Sequence, residues 1–499
     1  MYNLNDVQYD KKAIIHYLIL FLVAAAGWKV SAGFGTAIIP FLVFFAVLRN
    51  KPIELMFWVL VMTFSAAGNR QIFTAGITSG LIVRGTLVLL TVLLAAKLLQ
   101  GGREARLITP FWGIMFYILW ECFVSFQGYS PIVSYLKLFL FFLIFLSMIG
   151  VANTVNRSTR TNAKILRSAI LAVIAFIIIG SVILIPFPSL SLMTEKAAIE
   201  AMLSGEAVSL FQGMTSHSQV MGPMAGILGT FLFADLVFSI GKWDKFYILM
   251  ILLCPFLVYK TSSRTAMGTL IAGIGMVLFL VMLSRGLAKN WKGKVLMAMN
   301  MIIVCGAVAI CAVPQLRERA SEFVLKRTQV ADSGLLTMEN ITSSRQGRID
   351  EAMFYFKKKP VQGNGFQVSA NMAHERRHGL VEYLSAPIEK GVWIYAVLEE
   401  GGVIGMVLFC GWLIWLFVAL ISRHAYIGAS VFFTFTVANL GEFSFFSMSY
   451  IGGIYWTLSL AAVCLDVQRM KQTSMEVFFV PIEVVREEVG AEDWEWRQG

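Results

Sequence analysis

Residues 165–187 read ILRSAILAVIAFIIIGSVILIPF, a run in which Arg167 is the only charged residue. As a helix, this run is long enough to cross the roughly 30 Å of hydrocarbon in a bilayer. It lacks the alternation of apolar and polar residues that is typical of a membrane β-barrel strand. The stretch therefore predicts a transmembrane α-helix.

Apolar runs of this kind recur along almost the whole 499-residue chain, in which 58% of residues are hydrophobic and only 14% are charged. Soluble proteins carry roughly a quarter charged residues, so this chain cannot cover itself in water. We expect an all-α, polytopic transmembrane helix bundle of about 14 spans. The predicted spans are 13–28, 30–48, 53–67, 80–99, 108–126, 132–152, 165–187, 217–239, 246–259, 265–283, 295–313, 402–421, 426–440 and 450–467.

The short loops between these runs alternate in charge. If the amino terminus is cytoplasmic, most basic loops also fall on the cytoplasmic side, in agreement with the positive-inside rule. Two long non-cytoplasmic segments follow, one near 188–216 and a large, partly helical loop. The predicted organisation is eleven membrane helices in 1–313, the large loop in 314–391, three further membrane helices in 392–467 and a cytoplasmic tail in 468–499.

Charge and cysteine usage exclude several classes of protein. The net charge of +11 does not indicate nucleic-acid binding, because the basic residues sit mainly in short loops and not on one soluble face. All six cysteines lie in apolar runs without a CxxC pair, so neither a disulfide framework nor a cysteine zinc site is expected. No P-loop or other nucleotide-binding glycine pattern is present.

Basic residues on the predicted outer side break the charge bias. Arg264, in KTSSRTA (260–266), is either an anchor that snorkels to the interface or a guanidinium that holds an anion such as phosphate. Arg345 and Arg348 are three residues apart, so on a helix they would share one face. That pair could bind one ligand, or it could simply be solvated.

His217 opens a span in a segment that also contains Gln219, Gly222 and Pro223. A polar cluster that meets Gly and Pro at a membrane interface suggests a helix start that lines a cavity. A plain helix cap with an interfacial imidazole is the alternative.

Several outer-side residues lie at predicted entrances to the last spans: Glu389, Lys390, Glu400, Asn439 and Glu442. Carboxylates at membrane entrances are costly unless they are solvated or paired, which makes them candidates for a site. Glu389 could serve as a general base in a water-poor pocket.

Residues 374–378 read HERRH and match the zinc-protease pattern H-E-x-x-H. His374 and His378 would bind zinc, Glu375 would activate water, and Glu382 is a candidate third ligand. The two arginines between them oppose a dication, so a charged loop helix is the alternative.

Three stretches resemble the O-antigen ligase and polymerase superfamily of bacterial envelope polysaccharide enzymes. They are SSRTA (262–266), the run 344–366 that ends in PVQGNGF, and EEGGVIG (399–405). The end of the large loop, SAPIEKG (385–391), is similar to that of one subgroup. The likeness covers most of the chain from about residue 211 to 465, whereas the amino-terminal half agrees only in hydropathy.

The resemblance implies a metal-independent, inverting membrane glycosyltransferase without a cofactor. It would polymerise polyprenyl-diphosphate-linked oligosaccharides at the outer face of the bacterial cytoplasmic membrane. Its partners would be the lipid-linked donor, a glycan acceptor and the bilayer. A chain-length regulator or other polysaccharide assembly proteins are candidates for further partners. The alternatives are ligase-type transfer to another acceptor, a transporter or flippase, and the zinc protease.

Carried over by motif, Arg264 and Arg345 would bind the diphosphate, with Arg348 as an alternative to Arg345. Ligases of the family place a histidine shortly before the Glu-x-Gly entrance, and no histidine stands at that place here. Glu389 is therefore the expected base. The other expected site residues are His217 in catalysis, Lys390, Gln219, Glu400, Asn439 and Glu442 in substrate binding, and His374 and His378 as fallback bases.

Overall fold

A computed structural model gives the structure of the chain as a helical bundle. It describes residues 9–30, 32–69, 72, 85–86, 89–90, 108–158, 162–192, 211–240, 244–261, 263–284, 346–367, 392–441, 444–447 and 451–478. Within these ranges the regular secondary structure is helical, with two isolated bridges and no strand.

The helices follow the predicted apolar runs closely. Six of those in the described ranges are long and apolar enough to cross a membrane, so the chain is a multi-pass membrane protein. The total of about 14 spans stays a prediction, because the runs at 80–99 and 295–313 fall almost wholly outside the described residues.

The helices are α1 (Lys11–Val30), α2 (Ala32–Leu48), α3 (Pro52–Ala67), α4 (Ile114–Ser125), α5 (Pro131–Arg157), α6 (Ala163–Ile183), α7 (Ser218–Asp235), α8 (Lys245–Thr261), α9 (Arg264–Leu283), α10 (Gln346–Lys358), α11 (Trp393–Ser422), α12 (Tyr426–Ala438) and α13 (Ile451–Phe478). Several of them run past their predicted bounds, and two do so by more than a helical turn and a half. Helix α11 begins nine residues before the predicted 402, and α13 runs eleven residues beyond the predicted 467. Hydropathy marks only the apolar part of a helix, whereas the backbone hydrogen bonds continue into polar sequence.

Two helices form the centre of the bundle. Helix α13 packs against α3, α5, α6 and α12, and its Trp456 is buried in a cluster of aromatic rings. Helix α7 packs against α8, α9 and α12 through small residues. A Cβ at Gly222 would lie 2.7 Å from the Cβ of Ala266, so a larger residue there would push α7 and α9 apart.

Large apolar side chains also cover the outside of the bundle. Phe116, Ile132 and Ile414 are 64%, 76% and 65% exposed. Water would penalise so many exposed apolar groups, whereas the acyl chains of a bilayer would not. The outer surface therefore fits a hydrocarbon solvent.

A buried ion pair joins three helices at the end of the bundle where α1 begins. The Nε of Arg167 lies 2.8 Å from Asp235 Oδ2, and both side chains are fully buried. The Tyr247 hydroxyl donates to the same carboxylate over 2.6 Å. These bonds tie α6, α7 and α8 together. The sequence showed Arg167 inside an apolar run but not its partner.

The amino-terminal segment docks at the same end. The Tyr9 hydroxyl donates to the Asp244 carboxylate over 3.0 Å, and the Asp10 backbone N–H donates to Ser168 Oγ over 2.8 Å. Burial, together with the Asp244 carboxylate, raises the pKa of Tyr9 to about 12. The phenol therefore stays protonated and remains a donor at neutral pH.

The buried pair predicts an asymmetric response to mutation. Arg167→Met leaves the Asp235 charge buried without its guanidinium and should cost about 3–5 kcal/mol of stability. The double variant Arg167→Met with Asp235→Leu should recover much of that loss, because it removes both charges. Thermal unfolding in detergent, followed by intrinsic fluorescence, measures both.

Lys164→Met removes a charge from the first turn of the same helix, where the side chain is only half-buried. This control should unfold close to the wild-type temperature. Equal losses in the single and double variants would contradict a stabilising pair.

Candidate functional site

His217 lies at the opposite end of the bundle, directly before α7. Its Nδ1 accepts a hydrogen bond from the backbone N–H of Gln219 over 3.1 Å, which makes the imidazole the cap of α7. The ring is half-buried and the Gln219 side chain is exposed. Capping uses Nδ1, and a part in catalysis stays a prediction.

Arg264 is the first residue of α9, whose start packs beside that of α7. Ser263 caps the helix, since its Oγ accepts from the Ala266 backbone N–H over 3.3 Å. The Arg264 side chain is half-buried. The structure thus brings the helix starts that carry His217 and Arg264 to one end of the bundle.

Two features contribute positive charge at the start of α9. A helix amino terminus carries about half a positive charge, and Arg264 adds a full one. A cation at this position opposes the helix dipole at a cost of about 0.3–1 kcal/mol, whereas an anion would be favoured there. The arrangement is chemically suited to hold a phosphate-type anion.

Asn439 links the end of α12 to the start of α11. Its Oδ1 accepts from the Ser444 backbone N–H over 2.6 Å and from the Ser444 hydroxyl over 3.1 Å. Its backbone carbonyl accepts from the Trp393 N–H over 3.2 Å. The side chain is fully buried, so these contacts give Asn439 a structural role, and its predicted contact with substrate stays untested.

Helix α11 breaks at Gly402, and residues 360–367, which we call the docking segment, bridge the break. At Gly402 the backbone has φ 65° and ψ −164°. The Asn364 N–H donates to the carbonyls of Glu399 and Glu400, each over 2.9 Å. In return, the Val403 N–H donates to the Pro360 carbonyl over 2.9 Å. The docking segment therefore replaces hydrogen bonds that a straight helix would make to itself.

Two glycines make this contact possible. Gly363 and Gly402 both have positive φ, at 81° and 65°. A Cβ at Gly363 would overlap the Glu400 carbonyl oxygen, and one at Gly402 would overlap that of Val361. The PVQGNGF and EEGGVIG stretches, which carried the resemblance, thus contact each other directly.

Buried carboxylates lie beneath the docking segment. Glu400 is completely buried and Glu399 nearly so. Helix α11 begins at Trp393, so Glu400 lies seven residues inside the helix and not at the entrance where it was predicted. Glu121 of α4 is also fully buried, and the neighbouring Trp120 Nε1 donates to the Gly401 carbonyl over 2.7 Å. The sequence interpretation missed Glu121, although a carboxylate inside an apolar run is a usable signal.

Lys137 is a second residue that the sequence interpretation missed. It lies within the predicted span 132–152 and is almost completely buried in α5. Its Nζ donates to the backbone carbonyl of Gln367 over 3.0 Å. A lysine inside an apolar run signals an internal polar partner, and here that partner is the end of the docking segment.

The remaining predicted site residues cannot be placed in this geometry. Of Arg348 only the backbone is described, in the first turn of α10. Among the described residues, no group of three or more His, Cys, Asp or Glu side chains could hold a metal ion. Outside the described residues lie Glu389, Arg345, Lys390, Glu442, His374, Glu375, His378 and Glu382.

The glycine contact predicts a sharp difference between two positions in α11. Gly402→Ala should destabilise the protein by at least about 1–3 kcal/mol, since the backbone is strained for any L side chain and the Cβ overlaps a carbonyl. Gly411 lies in the same helix, and a Cβ added there would have nothing within 4 Å, so Gly411→Ala is the matched control. Gly411→Ala should be neutral or slightly stabilising. Unfolding temperatures in detergent compare the two, and an unchanged temperature for Gly402→Ala would refute the contact.

Comparison with known protein families and with curated proteins finds no match to this chain.

Proposed function

We propose that this protein is a membrane glycosyltransferase that polymerises polyprenyl-diphosphate-linked oligosaccharides for a surface polysaccharide. Its site would open on the outer face of the bacterial cytoplasmic membrane. The observation that carries the proposal is the half-buried guanidinium of Arg264 at a helix start, beside the start that His217 caps. The same end of the bundle holds the contact between the docking segment and α11.

The chemistry requires stabilisation of a leaving diphosphate. The acceptor hydroxyl oxygen attacks the anomeric carbon, the bond from that carbon to the diphosphate oxygen breaks, and the diphosphate departs with the electron pair. Fixed guanidinium groups stabilise this developing charge more in the transition state than in the ground state. Arg264 would act with Arg345, or with Arg348 in its place.

A base must take the proton of the acceptor hydroxyl, and we assign this to Glu389. The chain from Glu389 to Trp393 can span at most about 14 Å. Trp393 is hydrogen-bonded to Asn439, and Gly441, two residues further on, packs against Thr265. This chain length would allow Glu389 to approach the region around Arg264, and general-base catalysis typically contributes about 10²–10⁴-fold.

The decisive experiment incubates the purified protein in lipid with a lipid-linked oligosaccharide from its own host. We expect longer lipid-linked glycan and released polyprenyl diphosphate. Transfer of the glycan to a different acceptor would instead identify a ligase. Transbilayer movement of the intact donor, without bond cleavage, would identify a flippase.

Arg264→Lys should lower polymerisation by at least about tenfold, because lysine keeps the charge but loses the bidentate fork that suits a diphosphate. The variant should keep its unfolding temperature. Lys260→Gln, an exposed charge four residues earlier at the end of α8, is the control and should retain activity. Full activity in Arg264→Lys would reduce Arg264 to an interfacial anchor.

Glu389→Gln should lower the turnover number by about 10²–10⁴-fold with little change in donor binding, because the amide cannot accept the acceptor's proton. Single-turnover kinetics with the lipid-linked donor separate the two effects. His374→Gln and His378→Gln serve as comparisons. If either histidine variant loses turnover while Glu389→Gln does not, the base is that histidine.

A further inference from the structure

Helix α10 packs on α11 and leaves one face uncovered. Ile349 and Ala352 are buried against the protein. Phe354 is 56% exposed, and Lys357 and Lys358 on the same side are exposed as well. The pattern is that of an amphipathic helix whose outer face combines an aromatic ring with lysines.

The carboxyl end of α10 lies level with the ends of two apolar helices. Lys359 Nζ donates to the Gln127 carbonyl over 2.8 Å, in the turn that joins α4 to α5. Residues on either side of this turn are strongly exposed and apolar, with Phe126 at 73% and Ile132 at 76%. Because apolar helices end at this level, we infer that hydrocarbon gives way to lipid headgroups here.

The outer face continues this apolar belt. Val361, directly after α10, is 60% exposed, and Val403 of α11 beside it is 48% exposed. The Lys358 Nζ lies 4.2 Å from the Phe354 ring centroid and 4.9 Å from that of Tyr355, so its ammonium group makes cation–π contacts at the edge of this belt. Lys357 beside it is exposed as well.

We propose that Phe354, Lys357, Lys358 and Val361, together the α10 surface, rest on the anionic phospholipid headgroups of the membrane that the bundle spans. The ring and the valine would enter the acyl boundary, and the two ammonium groups would contact phosphate. The lysines also complement the carboxyl end of the helix dipole, but the dipole does not explain the exposed ring and valine.

The charges along α10 agree with this orientation. Its carboxylates, Asp350 and Glu351, precede Lys357 by six or seven residues, about 10 Å along the axis. Arg348 lies in the first turn of α10, whereas the three lysines 357–359 are gathered at the end that reaches the apolar belt. Three successive lysines, Lys357 to Lys359, lie on the predicted outer side, where the positive-inside rule disfavours basic residues. Contact with anionic headgroups would explain their presence there.

The test measures the depth of the α10 surface in the bilayer directly. In the full chain with its six native cysteines replaced, single nitroxide labels are placed at positions 354 and 361. Position 414, an exposed residue within α11, is the lipid reference, and position 423, in the turn after α11, is the water reference. Collision of the label with dissolved oxygen or with a water-soluble nickel chelate is compared in phosphatidylcholine bilayers with and without phosphatidylglycerol.

We expect labels at 354 and 361 to be shallower than position 414 but much less accessible to the nickel chelate than position 423, and to move deeper as phosphatidylglycerol is added. Lys357→Gln with Lys358→Gln should abolish this dependence on anionic lipid, which is worth roughly a fivefold factor per lysine near a charged surface. Lys11→Gln with Lys12→Gln removes two exposed charges from the other end of the bundle and should leave the response at 354 unchanged.

Nickel accessibility at 354 equal to that at 423 in both bilayers would overturn the proposal. Equal depth with and without phosphatidylglycerol would also overturn it, since the lysines would then contact no headgroup. If inorganic diphosphate, added to phosphatidylcholine bilayers, changes the label environment at 354 and phosphatidylglycerol does not, the lysines bind a soluble phosphate ligand. The experiment contains no glycan, so its result is independent of the proposed enzyme activity.

Discussion

Inside a membrane, every backbone N–H and C=O group must find a hydrogen-bond partner within the protein. This requirement has its largest effect on the structure at the break in α11. A straight helix would bond the N–H groups of Val403 and Ile404 to the carbonyls of Glu399 and Glu400. Here those N–H groups donate to the docking segment at Pro360 and Val361, and the two carbonyls accept from Asn364 and Gly365. The exchange is complete, so α11 can bend without leaving polar groups stranded in an apolar environment. Both α11 and the docking segment therefore depend on this exchange for the hydrogen bonds of these backbone groups.

Apolar runs could be read from the sequence because a membrane imposes one length and one polarity on every span. The run at 165–187 was predicted for that reason, and α6 occupies it. The bend at Gly402 could not be read in the same way. Its cause is a close approach to residues 360–365, some 40 positions earlier, and no local pattern encodes that distance. Glu121 and Lys137 were visible as charges in apolar runs, but their neighbours were not.

The two ends of the bundle differ in how they stabilise buried polar and charged groups. Where α1 begins, charges pair with charges, as Arg167 does with Asp235, and both are sealed from solvent. At the other end, the docking segment makes backbone hydrogen bonds above the buried Glu399 and Glu400, and the side chains of His217 and Arg264 are half-buried. Buried ion pairs hold fixed geometry, whereas half-buried polar groups at helix starts can still meet a ligand. The proposed site lies at the end that carries Arg264.

The position of Arg264 is compatible with the proposed role in anion binding. An interfacial anchor works equally well at the carboxyl end of a helix, where a cation also gains from the dipole. Arg264 stands at the amino end, where the dipole opposes it, and Ser263 already caps the helix. An anion bound between the guanidinium and the first N–H groups of α9 would turn this opposition into attraction. In the proposed reaction this anion would be the diphosphate leaving group, so the place of Arg264 at a helix start suits the proposed chemistry.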